Sequence, residues 1–272
     1  MTDTVATSAA RGSTRQDGQA SSSRRMTLWR LELARLVRSR RVIALVGVFS
    51  FFGLTGPMLA RYMGELLERF GGGVEIILPE VVPADGITQY LGNASQIGML
   101  VVLVVAAGAL AFDSKPELAA FLRTRAPIER LVVPRYTVSL LGSGTAYTLG
   151  LLAAWYETHV LIGALPAPEM LAGIAASWLY LAFAVAVVAM WAALARGVLA
   201  TVAFSAVTLL ALPILSVFEA LAPWLPSELL GAPDALVRGA EIGDYWRAAL
   251  MAVLVTAALL AAAVALLRRR EL

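Results

Sequence analysis

The sequence contains no cysteine, a single histidine, His159, and a single lysine, Lys115. The missing thiols exclude disulfides, thiolate metal sites and cysteine nucleophiles together. One histidine excludes a histidine-based metal cluster within one chain. Charge is scarce as well: charged residues are 15% of the 272 positions and hydrophobic residues 59%, where a soluble domain carries about 25% charged residues. A phosphate-binding loop requires Gly-Lys followed by Ser or Thr, because backbone amides and the lysine cradle the phosphates together. Lys115 stands between Ser114 and Pro116, so ATP binding of that kind is excluded. The chain is expected to hold no cofactor and to be no enzyme on its own.

What the sequence has in abundance is long apolar segments. Six run roughly Val42–Ala60, Ala94–Phe112, Thr137–Tyr156, Met170–Ala195, Val198–Phe218 and Ala248–Leu267. Each approaches the ~20 residues that cross a ~30 Å hydrocarbon core at 1.5 Å per residue. None contains Asp, Glu, Lys, Arg or His, and the second is weakened by Ser95 and Gln96 near its start. The fourth and fifth are separated by Arg196-Gly197, read as a tight turn, since an arginine in mid-membrane is costly. The fold class is therefore all-α: a polytopic membrane protein of six spans. Residues 1–25, rich in Ser, Thr, Arg, Gln and Gly, are expected to form a disordered tail. Their Ser23-Arg24-Arg25 end resembles an export signal, but Arg30, Arg35, Arg38, Arg40 and Arg41 delay the apolar core that such a signal needs. Residues 26–41 read as a basic amphipathic helix. Met26, Trp29, Leu33, Leu36 and Val37 share one face, and Glu32, Arg35, Arg38 and Ser39 lie opposite. Such a helix is expected to lie in the headgroup region; the alternative is that it simply begins the first span. Residues 42–272 make the six-span domain.

Arginine placement sets the orientation. Nine arginines precede the first span, from Arg11 to Arg41. Lys115, Arg123, Arg125, Arg130 and Arg135 lie between spans two and three, Arg196 in the next turn on that side, and Arg268, Arg269 and Arg270 after the last span. The other side sets Arg61, Arg69, Arg238 and Arg247 among many carboxylates, including Glu65, Glu80, Asp85, Glu228 and Asp234. The basic side is expected to be cytoplasmic, with both termini there and the chain in the cell membrane. Tyr62, Trp155, Tyr156, Tyr245 and Trp246 then fall at the outer interface, as aromatic belts do. The outer segment 219–247 mixes apolar residues with Pro223, Pro226 and Pro233, and could dip back into the membrane as short helices where protein surrounds it.

Two catalytic or transport chemistries lack their residues. Gly142-Ser143-Gly144 and His159 would share one helix, about 24 Å apart along its axis, too far for a serine–histidine pair. Close helix packing through small residues explains the glycines better. Ion-coupled transporters keep charged groups or broken helices at membrane depth, and these spans carry no charge.

The segment Asp113–Arg135 is the most informative. Ser114 and Glu117 have the spacing of a capping box, with Pro116 inside the first turn. Leu118, Phe121 and Leu122 follow as an apolar stripe. Arg123 and Arg125 complement the helix dipole, and Pro127 ends the helix. A short capped helix on the basic side is expected, its stripe packed on headgroups, on this chain or on a partner.

Here the sequence resembles the permease subunits of ABC transporters of the type-2 exporter class. The resemblance covers nearly everything after residue 25. It rests on the helix Met26–Arg41, the six spans, Asp113 ending span two, Glu117-Leu-Ala-Ala-Phe-Leu122, Pro127-Ile128-Glu129-Arg130, Leu131-Val132-Val133 and Arg135. Lys115-Pro116-Glu117 departs from the Gly-Thr that the family often places after the acidic residue. The Glu-Ala-Ala loop of an ABC importer is a rival, but it wants glycine at position 123, which is Arg. The resemblance implies a separate ABC ATP-binding subunit docked on the coupling helix, with Asp113, Ser114, Glu117, Leu118, Phe121, Leu122, Arg123, Arg125, Pro127 and Arg130 as docking residues. It also implies a second permease copy, in a homodimer or heterodimer, membrane lipid around both, and no nucleic acid. The alternative is a multi-span scaffold or assembly factor without transport.

Overall fold

A computed structural model describes residues 29–30, 32–34, 38, 40–70, 80–111, 127–195 and 197–269. It is 88% helical, has no strand among the described residues, and has six helices long and apolar enough to span a membrane. The chain is an all-α polytopic membrane protein.

Span one is α1, Arg40–Phe70. Leu45, Phe49, Gly53, Gly56 and Ala60 form its buried stripe at helical spacing, while Ile43, Phe51, Leu54 and Met58 point outward. Span two is α2, Pro83–Asn93, a π-helical turn, Ala94–Gly98, and α3, Met99–Leu110. Span three is α4, Ile128–Leu161; span four α5, Ala167–Leu194; span five α6, Val198–Leu215. The segment before the last span holds a 3-10 turn, Ala222–Trp224, then α7, Glu228–Val237, and a second 3-10 turn, Ile242–Tyr245. Span six is α8, Trp246–Arg269.

In lipid no hydrophobic force drives helix against helix, so close packing has to hold the bundle. The sequence supplies small residues for it. α1 packs most extensively on α4, where a Cβ on Gly53 would sit 2.2 Å from the Gly150 carbonyl oxygen, and one on Gly150 2.5 Å from that of Phe49. α5 is the central helix, touching α3, α4, α6, α7 and α8, and Phe183 through Ala189 are all buried. Gly144 accepts the Trp178 ring, which a Cβ there would meet at 2.5 Å. α6 and α8 lie outermost. Trp191 ties α6 to α5 by stacking on Phe204, centroids 4.9 Å apart, and by donating to Thr208 at 2.9 Å.

Several helices outrun the apolar segments. α1 continues to Phe70, α2 starts at Pro83 rather than near Ala94, and α4 starts at Ile128 rather than Thr137. Glu129 to Arg135 are therefore helix and not loop. α5 and α6 are separate helices on either side of Ala195 and Gly197, as the turn reading expects.

Candidate partner-docking face

Both described ends of the chain meet at one end of the bundle. Residues 29, 30, 32–34 and 38 are helical. Trp29 and Leu33 are exposed on this helix, whereas Glu32 turns inward to accept a hydrogen bond from Arg135 Nε at 3.0 Å. Arg135 lies seven residues inside α4 and is 4% exposed. At the last turn of α8, Arg268 pairs with Glu129 in the first turn of α4, where a carboxylate also suits the helix dipole. Arg41 passes over Gly108, the position at which a Cβ would come within 2.8 Å of the guanidinium. These contacts gather the starts of α1 and α4 and the ends of α3 and α8 at one arginine-rich face.

A cleft of about 570 Å³ opens on this face, lined by Trp29, Pro127, Glu129, Arg130, Val133, Pro134 and Arg268. Pro127 caps α4 in an extended conformation, φ −62° and ψ 149°, and Ile128 buries at once beneath it. Arg130 is exposed beside the cleft. Pro127 and Arg130 are thus held together at the mouth of α4. Asp113, Ser114, Glu117, Leu118, Phe121, Leu122, Arg123 and Arg125 lie outside the described residues.

No family model matches this chain, and no curated protein or solved structure is found similar to it.

The opposite end is acidic and carries a second polar cluster. Val82 N donates to Asp85 Oδ2 at 3.0 Å, closing the first turn of α2. Arg238 donates to Asp85 and Thr88 at 2.8 Å and to Asp234 at 3.0 Å, and Thr88 donates to Asp234 at 2.7 Å. The Asp85 bond raises the Arg238 pKa, partial burial opposes this, and Asp234 adds to the rise. The cluster fastens α7 to α2, while Pro233 packs where Gly173 of α5 has no Cβ, 2.6 Å from the position one would take. The 219–247 segment thus folds back along the spans as short helices. Partial burial raises the Glu228 carboxyl at the start of α7.

His159 is exposed near the end of α4, and Ser143 is fully buried on the same helix. The two share one helix, as their spacing requires. Sequence reasoning placed Arg268 on the basic side and Glu129 beside Arg130, but it did not foresee that Arg268 pairs with Glu129 or that Glu32 pairs with Arg135.

Proposed function

We propose that this chain is the permease subunit of an ATP-driven ABC exporter, with both termini in the cytoplasm. One observation carries the reading. The segment between Ala111 and Pro127 joins α3 to α4 at the same end as Glu32, Arg135 and Arg268. The short helix that the sequence leads one to expect in that segment, with the stripe Leu118, Phe121 and Leu122, would on this reading offer the docking surface at that end. An ATPase subunit docked there would transmit its closure directly into α3 and α4. α4 in turn packs along α1 and touches α5, so a tilt at its mouth propagates to the rest of the bundle. The apolar segments of the spans carry no charge, which leaves the energy to the partner subunit.

Copurification tests it. The tagged full chain, extracted from its own host in mild detergent, is expected to bring down a P-loop ATPase in fixed ratio and to gain ATP hydrolysis with it. Replacing Leu118 and Phe121 with Asp is expected to release the ATPase. Each of these side chains contributes on the order of 1.5–3 kcal/mol when buried, and the spans themselves are untouched. Full retention by the double variant would remove the docking assignment. Absence of any ATPase from the wild-type preparation would favour a scaffold.

A further inference from the structure

Two irregular turns of this bundle meet at one groove. Span two opens into the π-helical turn at Ala94–Gly98. In α6, Pro213 lacks the amide hydrogen that the Leu209 carbonyl would otherwise accept. Both lie at one depth: by helical rise Gln96 is roughly 21 Å from Leu110, and Pro213 roughly 22 Å from Val198, each measured from the arginine-rich end. A hydrocarbon core ~30 Å thick contains both. Between them runs a groove of about 340 Å³, from Gln96 past Leu103 to Leu209 and Pro213, with Tyr180 of α5 in its wall.

The walls hold hydrogen-bonding capacity that the chain leaves unspent. The Gln96 amide is exposed and has no partner among the described residues. Tyr180 is 4% exposed, and its hydroxyl is likewise without one. Lipid tails cannot satisfy either group at this depth. No Asp, Glu, Lys, Arg or His lines the groove, so a charged headgroup would stand there without a counter-ion. The volume lies at the small end of ligand pockets, and the shape between two helices suits one alkyl chain.

We propose that this groove binds an uncharged single-chain amphiphile, its alkyl chain along Leu103 and Leu209 and its head hydrogen-bonded to Gln96 and Tyr180. Gln96 both donates and accepts, and a tyrosine hydroxyl does too. A head with a carbonyl and free hydroxyls, such as that of a monoacylglycerol, meets both. The site belongs to the isolated chain and does not depend on an ATPase partner.

The test uses the full chain alone in nanodiscs and a monoacylglycerol bearing a diazirine on its alkyl chain. Irradiation is expected to label Leu103 and its neighbours. Unlabelled monoacylglycerol should compete, and an alkane or a fatty acid of equal length should not. Gln96→Leu and Tyr180→Phe should each weaken competition about tenfold, the worth of one hydrogen bond, and Leu103→Trp should abolish the labelling. Size-exclusion profiles matching the wild type confirm that these variants fold. Equal competition by the alkane, with Gln96→Leu unchanged, would show ordinary lipid solvation and overturn the proposal. Disulfide-linked dimers of the Gln96→Cys chain, forming in place of groove labelling, would show that a second copy covers the groove and would overturn it too.

Discussion

Arg135 of α4 and Glu32 of the N-terminal helix pair at 3.0 Å, with side chains 5% and 19% exposed. The bond spans 103 positions of sequence and fixes the amphipathic helix against the mouth of span three. It also leaves Trp29 and Leu33 facing outward, where lipid can take them up. The helix is thereby tied to α4, the helix that follows the segment 112–126.

The pair should therefore be coupled energetically. The pair is largely buried, and Glu32→Ala is expected to lower stability by about 1.5–3 kcal/mol, the contribution of a hydrogen bond between charged groups. Glu32→Ala combined with Arg135→Ala should cost less than the sum of the singles, by about 1–3 kcal/mol. Unfolding of the four proteins in detergent with added denaturant measures this. Strict additivity would mean that the contact contributes nothing.

The α1–α4 crossing gives a sharper contrast. A Cβ on Gly150 would sit 2.5 Å from a backbone carbonyl, whereas one on Gly47 of α1 would meet nothing within 4 Å. Gly150→Val should destabilise by about 2–3 kcal/mol through overpacking. Gly47→Ala should stabilise by about 0.5–1 kcal/mol, because alanine loses less backbone freedom in a helix. Thermal melting of the purified variants ranks them. Equal melting temperatures would mean that the two helices do not cross at glycine.

Glu228 makes stability depend on pH. Burial holds its folded-state pKa above the ordinary carboxylate value, so the folded chain binds the proton more tightly than the unfolded chain. Stability then falls as pH rises from the ordinary glutamate pKa through the raised one. Glu228→Gln should remove that slope and melt higher at neutral pH. A melting profile whose slope through that window is the same in both proteins would show that the carboxyl is solvated.

The six spans were legible because apolar length is a direct record of membrane thickness. Their ends were not. Hydrophobicity stops at the edge of the hydrocarbon, but backbone hydrogen bonding continues: Arg61, Glu65 and Arg69, four residues apart, carry α1 onward as a charged helix. The start of α2 did leave a signal, a proline at the first helical position with Asp85 three residues past the cap. The docking face was legible only in its charge. Nothing local marks Glu32 as the partner of Arg135, since a pairing across 103 positions is set by the packing of whole helices. Gln96 was visible only as a flaw in span two. Its meaning depends on Tyr180 and Pro213, which folding brings to the same groove.

Orientation is the premise on which the docking proposal stands, and the missing cysteines make it directly testable. Arginines on short segments near span ends are retained in the cytoplasm. Arg130, Arg268 and Arg269 are exposed at the end that holds Glu32. Glu80 and Gly243 are exposed at the other end, beside α2 and the turn that leads into α8. Every single-cysteine variant starts from a thiol-free background, so each signal has one source. Glu80→Cys and Gly243→Cys are expected to react with a membrane-impermeant maleimide on intact cells. Arg130→Cys and Arg269→Cys should react only after the membrane is opened. An even number of spans requires that the start of α1 and the end of α8 behave alike, so Arg38→Cys must follow Arg269→Cys. Labelling of Arg130→Cys in sealed cells would invert the protein, move the segment 112–126 out of the cytoplasm, and leave an ATP-hydrolysing partner no face on which to dock.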